Sequence, residues 1–90
     1  MSLSVTVVAV QGASGKLVPT LTLSQYTFND RNLTATITYT GDGNVSATDG
    51  SVSENVYTSN IHGGSQSGLV YALETNNYTS AVVEVYYAGD

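Results

Sequence analysis

Apolar and polar residues alternate most regularly across residues 32–40, where Leu33, Ala35, Ile37 and Tyr39 interleave with Thr34, Thr36, Thr38 and Thr40. Successive side chains of an extended strand leave opposite faces, so a period of two marks a strand with one face in a core. Shorter stretches repeat the pattern. Leu21 and Leu23 alternate with Thr20, Thr22 and Ser24, and Leu69, Tyr71 and Leu73 form a row. Val83, Val85 and Tyr87 stand opposite Glu84 and Tyr86. Near the start, Leu3, Val5 and Val7 alternate before Val8 and Val10 change phase. A β-bulge, or a strand passing between two sheets, would produce that change.

Turn chemistry separates these runs. Asp42-Gly43 and Asp49-Gly50 read as tight hairpin turns, because Asp tolerates positive φ and Gly adopts it freely. Residues 12–15, 29–31, 63–68 and 76–77 carry the remaining turn signals. Pro19 sits where a strand begins, a position that wastes no ladder donor. The pattern predicts seven strands, at 3–10, 20–24, 32–40, 44–48, 51–58, 69–74 and 81–87. Of these, the segment around 68–74 is also compatible with a helical turn. Short strands punctuated this often indicate an antiparallel sandwich or barrel in one domain spanning 1–90. An odd number of crossings would leave the two chain ends at opposite poles, about 20–25 Å apart.

Composition supports strands over helices. Val, Ile and Thr supply 26 residues, and Glu, Lys, Arg, Gln and Met only nine, too few for the exposed faces of helices. Charged residues are 10% of the chain, and polarity comes instead from 11 Ser, 12 Thr and 7 Asn. With two basic residues and a net charge of −5, phosphate neutralisation cannot drive nucleic-acid binding. There is no cysteine, which excludes disulfides, thiolate metal sites and a Cys nucleophile. No apolar run is long enough to insert in a membrane, and no basic segment of a signal peptide precedes residue 10.

Candidate chemistry is sparse. His62 is the single histidine; no Gly-x-Ser-x-Gly elbow accompanies it, and one imidazole cannot hold zinc. Asp42-Gly43-Asn44 resembles a fragment of a calcium loop, but the spaced oxygen ligands of such a loop are missing and a turn accounts for both Asp-Gly pairs. No enzyme, cofactor or metal site is expected. Seven tyrosines without tryptophan raise sugar stacking. Alternation assigns Tyr39, Tyr71 and Tyr87 to the core, puts Tyr78 over a sheet end, and leaves Tyr57 and Tyr86 for the surface. His62, Tyr57 and Tyr86, together with the Gly/Ser-rich stretch 60–67, are the candidate ligand contacts. Three Asn-x-Ser/Thr triplets begin at Asn32, Asn44 and Asn77, and chance explains them in a chain this rich in hydroxyls.

The stretches PTLTLS at 19–24, TATITYTGDGNVSATDGSVS at 34–53 and NNYTSAVVEVYY at 76–87 resemble the bacterial immunoglobulin-like domains, group 2 or a close relative. Such modules occur in bacterial surface adhesins and bacteriophage tail proteins. The resemblance covers roughly 19–87, with Gly68-Leu69-Val70-Tyr71-Ala72-Leu73 departing from the usual glycine-rich stretch. It implies an immunoglobulin-like sandwich of about seven strands, serving as a non-enzymatic spacer or display module on a cell surface or virion. Its implied partners are neighbouring domains of the same polypeptide, and a cell-surface glycan or protein in the binding-module alternative. Some surface domains of this kind crosslink a buried lysine to asparagine, whereas Lys16 follows a flexible glycine-rich stretch and reads as solvated. Residues 1–3 read as an expression remnant, and 3–10 as the first strand of this domain in preference to the last strand of a neighbouring one.

Overall fold

The computed structural model describes residues 3–10, 15–61 and 64–89. Eight strands are present among them and no helix: β1 (Leu3–Ala9), β2 (Thr20–Asn29), β3 (Asn32–Thr40), β4 (Val45–Ala47), β5 (Ser51–Ser53), β6 (Val56–Thr58), β7 (Gly64–Ala72) and β8 (Ala81–Gly89). They form two four-stranded antiparallel sheets, ordered β1-β8-β7-β4 and β2-β3-β6-β5. Strands β2 to β8 taken alone give the two-sheet order of the immunoglobulin constant-type sandwich, with β4, β7 and β8 in one sheet and the other four in the second. β1 is an additional edge strand, paired with β8 without a register shift from Leu3 opposite Tyr87 to Ala9 opposite Ala81.

The core follows the alternation in β2, β3 and β8 but not in β7. There Val70 and Ala72 are buried and the row expected to face the core, Leu69, Tyr71 and Leu73, is not, Leu73 being 71% exposed. Leu21, Leu23, Leu33, Ala35, Ile37 and Tyr57 from one sheet meet Val70, Ala81, Val83, Val85 and Tyr87 from the other. Each large apolar side chain buried there contributes about 1.5–3 kcal/mol relative to exposure. Tyr39 is half-buried and packs against this cluster. Thr36, between two buried neighbours in sequence, is half-buried on the other face, and its hydroxyl donates to Gln25 Oε1 at 3.1 Å. Phe28 and Tyr87 close one end of the core, their rings tilted with centroids 5.9 Å apart.

Several expectations are corrected. Neither Asp42-Gly43 nor Asp49-Gly50 turns a hairpin: the first joins β3 to β4 and the second β4 to β5, and each pair of strands lies in different sheets. Two-residue hairpins fall at Asp30-Arg31, within the expected turn at 29–31, where both residues have positive φ as a type I′ turn requires, and at Glu54-Asn55, where no turn was expected and Glu54 has positive φ. The second hairpin splits the expected strand 51–58 in two. Val52 consequently pairs with Tyr57, which turns the tyrosine into the core at 1% exposure rather than onto the surface.

The strand expected at 20–24 continues to Asn29 through a bulge between Ser24 and Thr27, with Gln25 at φ 55. Residues 64–67, expected as loop, belong to β7, and the helical alternative near 68–74 is not adopted. Nor does β1 contain a bulge. Its apolar phase changes because Val5 packs against the core on the inward face while Val8, on the outer face, is 44% exposed and marks no core position. Finally, eight crossings rather than seven return the chain to its starting pole. Leu3 lies beside Tyr87, contrary to the expectation of ends at opposite poles.

Candidate functional site

The register fixes two poles along a molecule of 45 × 21 × 19 Å. The starts of β1 and β3, the end of β8 and the β6–β7 connection occupy one, the terminal pole. The β1–β2, β3–β4 and β7–β8 connections gather at the other, the distal pole. There a lattice of short polar side chains ties the connections together. Thr75 Oγ1 donates to Asp42 Oδ1 at 2.6 Å and Asn77 Nδ2 donates to Asp42 Oδ2 at 2.7 Å, so one carboxylate spans the β3–β4 and β7–β8 loops. The Thr75 hydroxyl in turn accepts from the Tyr78 backbone N–H at 3.0 Å. Those two donors, Thr75 first, hold the Asp42 carboxyl below its ordinary value of 3.8.

The β1–β2 connection joins by backbone. Leu17 N–H donates to the Asn77 carbonyl and Thr79 N–H to the Leu17 carbonyl, each at 2.8 Å, forming a parallel bridge between Leu17 and Tyr78. Lys16 Nζ donates to Glu74 Oε2 at 2.8 Å, so the lysine is held to the adjoining loop by a carboxylate, and its side chain is only 21% exposed. On β3, the Tyr39 hydroxyl accepts from Gly43 N–H at 3.1 Å. A Cβ at Gly41 would fall 2.3 Å from that hydroxyl, which explains the glycine beside the ring. Both carboxylate oxygens of Asp42 are engaged by neutral donors, an arrangement that braces loops. Among the described residues, no three His, Asp or Glu side chains gather to hold a metal ion.

The terminal pole has its own polar cluster. Asn60 Nδ2 donates to Asp49 Oδ1 at 2.9 Å, and the Tyr87 hydroxyl lies 3.5 Å from Asp49 Oδ2. Buried Ser59 accepts from Leu33 N–H at 2.9 Å and donates to the Asn60 carbonyl at 2.8 Å. Burial, and secondarily the Asp49 charge, pushes the Tyr57 phenol well above its ordinary range, so it stays neutral. Asn32 Nδ2 donates to the Ser59 carbonyl, and Asn77 Nδ2 is committed to Asp42, so two of the three Asn-x-Ser/Thr amides are already engaged.

The three candidate contact residues therefore part company. His62 lies outside the described residues. Tyr57 is a core residue whose ring faces no ligand. Tyr86 is 42% exposed on the outer face of its sheet, where the Glu84 carboxylate on the same face, ahead of desolvation, raises its phenol pKa. The polar lattice around Asp42 escaped sequence reasoning because its members are 33 and 35 residues apart. No protein-family model matches the chain, and no curated protein or solved structure matches it.

Proposed function

We propose that this chain is a non-enzymatic display module of a bacterial surface protein or phage tail. Supporting this reading are the immunoglobulin-constant strand order and the resemblance of 19–24, 34–53 and 76–87 to bacterial immunoglobulin-like modules. One observation favours display over an in-line spacer: Leu3 stands opposite Tyr87, so both chain ends leave the terminal pole. A module attached that way adds little length to a polypeptide and carries its distal loops outward. The bracing of those loops by Asp42 suits such a role, since recognition loops work best on a rigid scaffold. Neighbouring domains of the same polypeptide are its first partners in this reading.

Accessibility of the two poles tests it. With the chain anchored to a bead by either end, a biotin placed through Asn76→Cys at the distal pole should be captured by streptavidin as readily as in solution. A biotin placed through Ile61→Cys, beside the anchored ends, should be obstructed. Equal obstruction at both positions overturns the display geometry. The exposed Tyr86, beside Glu84 on the outer face of its sheet, favours a second reading as a glycan-binding module. Tyr86→Ala abolishing retention on a glycan array would support that reading, and no retention of the parent chain would remove it.

A further inference from the structure

The two sheets have four edges, and three of them are blunted. β4 and β5 are three residues long, and β2 is interrupted by its bulge at Gln25, a device that twists an edge away from partners. β1 has none of these features. Its seven residues, Leu-Ser-Val-Thr-Val-Val-Ala, carry no charge, proline or glycine and pair with β8 in unbroken register. The strand also overhangs. Val5, Val7 and Ala9 share the inward face of their β8 partners Val85, Val83 and Ala81, which are fully buried. The second sheet covers β8 with β2 and reaches β1 much less, so that Val5 packs against the core but Val7 is 53% exposed, while Val8, on the outer face opposite Val82, is 44% exposed. A long, flat, apolar edge is a template for another strand.

We propose that β1 is a self-recognition edge, through which two copies of this chain pair antiparallel about a two-fold axis into one continuous eight-stranded sheet. The sequence of the strand is its own complement in that arrangement. With Thr6 opposite Thr6 of the second copy, Val5 meets Val7 and Ser4 meets Val8. Every inward residue then faces an inward residue, and the β-branched pairs favour one another across the ladder. The net charge of −5 on each copy is not carried by β1, which has no charged residue. Among the described residues of β1 and β8 the one carboxylate is Glu84, on β8 opposite Thr6. The two Glu84 residues would be three strand spacings apart, about 14 Å, beyond the screening length of about 8 Å at physiological salt.

The geometry also limits the assembly. A two-fold contact consumes both β1 edges, and the outer edges of the joined sheet are the three-residue β4 strands, so growth stops at the dimer. Antiparallel pairing sets the start of one β1 beside the end of the other. The terminal poles then point in opposite directions, so the dimer joins chains carried from opposing sides. This inference stands on the edge strand alone and does not require the display reading.

Sedimentation equilibrium on the 90-residue chain tests it. The expected result is a reversible, concentration-dependent rise from 9.4 kDa to twice that mass, with no larger species. Val7→Lys, which places a charge on the overhanging face, should raise the dissociation constant at least tenfold. Its melting temperature measured at dilution should stay close to that of the parent, because the position is exposed in the monomer. Val56→Lys, at a 42% exposed position on the interior strand β6 of the other sheet, should leave the dimer unchanged. A monomer persisting up to about 1 mM overturns the proposal, since any weaker contact falls below the range of specific association. A dimer indifferent to Val7→Lys, or open-ended growth into filaments, overturns it as well.

Discussion

Gly15 and Gly50 share a backbone conformation, with φ at +90° and +91°, but not an environment. A Cβ on Gly15 would meet nothing within 4 Å, whereas on Gly50 it would lie 2.0 Å from the Thr58 carbonyl oxygen and 2.6 Å from Ser59 Cα. Substituting alanine at each position therefore separates dihedral strain from collision. The left-handed conformation costs a residue with a Cβ about 1–2 kcal/mol. Restricting the unfolded chain returns about 0.4–1 kcal/mol. Gly15→Ala should then destabilise by about 1.6 kcal/mol at most. Gly50→Ala adds overpacking against rigid backbone, about 1–3 kcal/mol more. The total of about 1–4.6 kcal/mol reaches a large share of the about 5–13 kcal/mol expected for 90 residues. Urea unfolding followed by tyrosine fluorescence reads both values, with unchanged m if only the native state is affected. Equal costs at the two glycines would refute the reasoning, because they would mean that β5 and β6 do not approach the β4–β5 corner as described.

Three further outcomes follow from the packing and the polar lattice. Ile37→Ala should cost about 2–5 kcal/mol and Thr36→Ala about 0.5–1, since one empties the core and the other loses a surface hydrogen bond; equal costs would put the register of β3 in error. Asp42 titrates below its ordinary value of 3.8 in the folded chain, so its contribution is fully present above that value and is lost as pH falls through the lowered native value. The stability gap between the parent and Asp42→Ala should accordingly close in acid, and a gap independent of pH would contradict the role of the carboxylate. Arg31→Gly should stabilise by about 0.5–1 kcal/mol, because glycine suits the second position of the Asp30-Arg31 type I′ turn and arginine at φ 63 does not; destabilisation in urea would mean that the arginine side chain supports the turn.

How far the sequence carries depends on how local each feature is. The strand 32–40 and the burial of Leu33, Ala35 and Ile37 are readable because a period of two is a property of neighbouring residues. Asp42-Gly43 and Asp49-Gly50 mislead because a dipeptide reports a sharp change of direction but not which sheet receives the next strand. Of the true hairpins, Asp30-Arg31 falls within the turn signal at 29–31, whereas Glu54-Asn55 puts a glutamate at positive φ, a residue that no turn preference would nominate. Missing the turn at Glu54-Asn55 has two consequences from one cause. It reverses the parity of Tyr57, sending it to the wrong face, and it changes the number of crossings from odd to even, sending the chain end to the wrong pole. The distal lattice is illegible for a different reason. Asp42, Thr75 and Asn77 are common residues whose partnership exists only once the two loops are brought side by side.

The adjacency of the chain ends at the terminal pole underlies the account, and a disulfide tests it most directly. Ser4 lies opposite Tyr86 in the β1–β8 ladder. Directly opposed residues of antiparallel strands have Cα atoms about 4.5–5.5 Å apart, inside the window of about 4.4–6.8 Å that a disulfide accepts. The chain has no cysteine of its own, so a variant carrying Ser4→Cys and Tyr86→Cys reports only this pair. The account predicts that mild oxidation forms an intramolecular disulfide, seen as a reducible mobility shift of the monomer, while Ser4→Cys with Ser80→Cys forms none. Free thiols in the first variant and closure in the second would place the ends at opposite poles and contradict it.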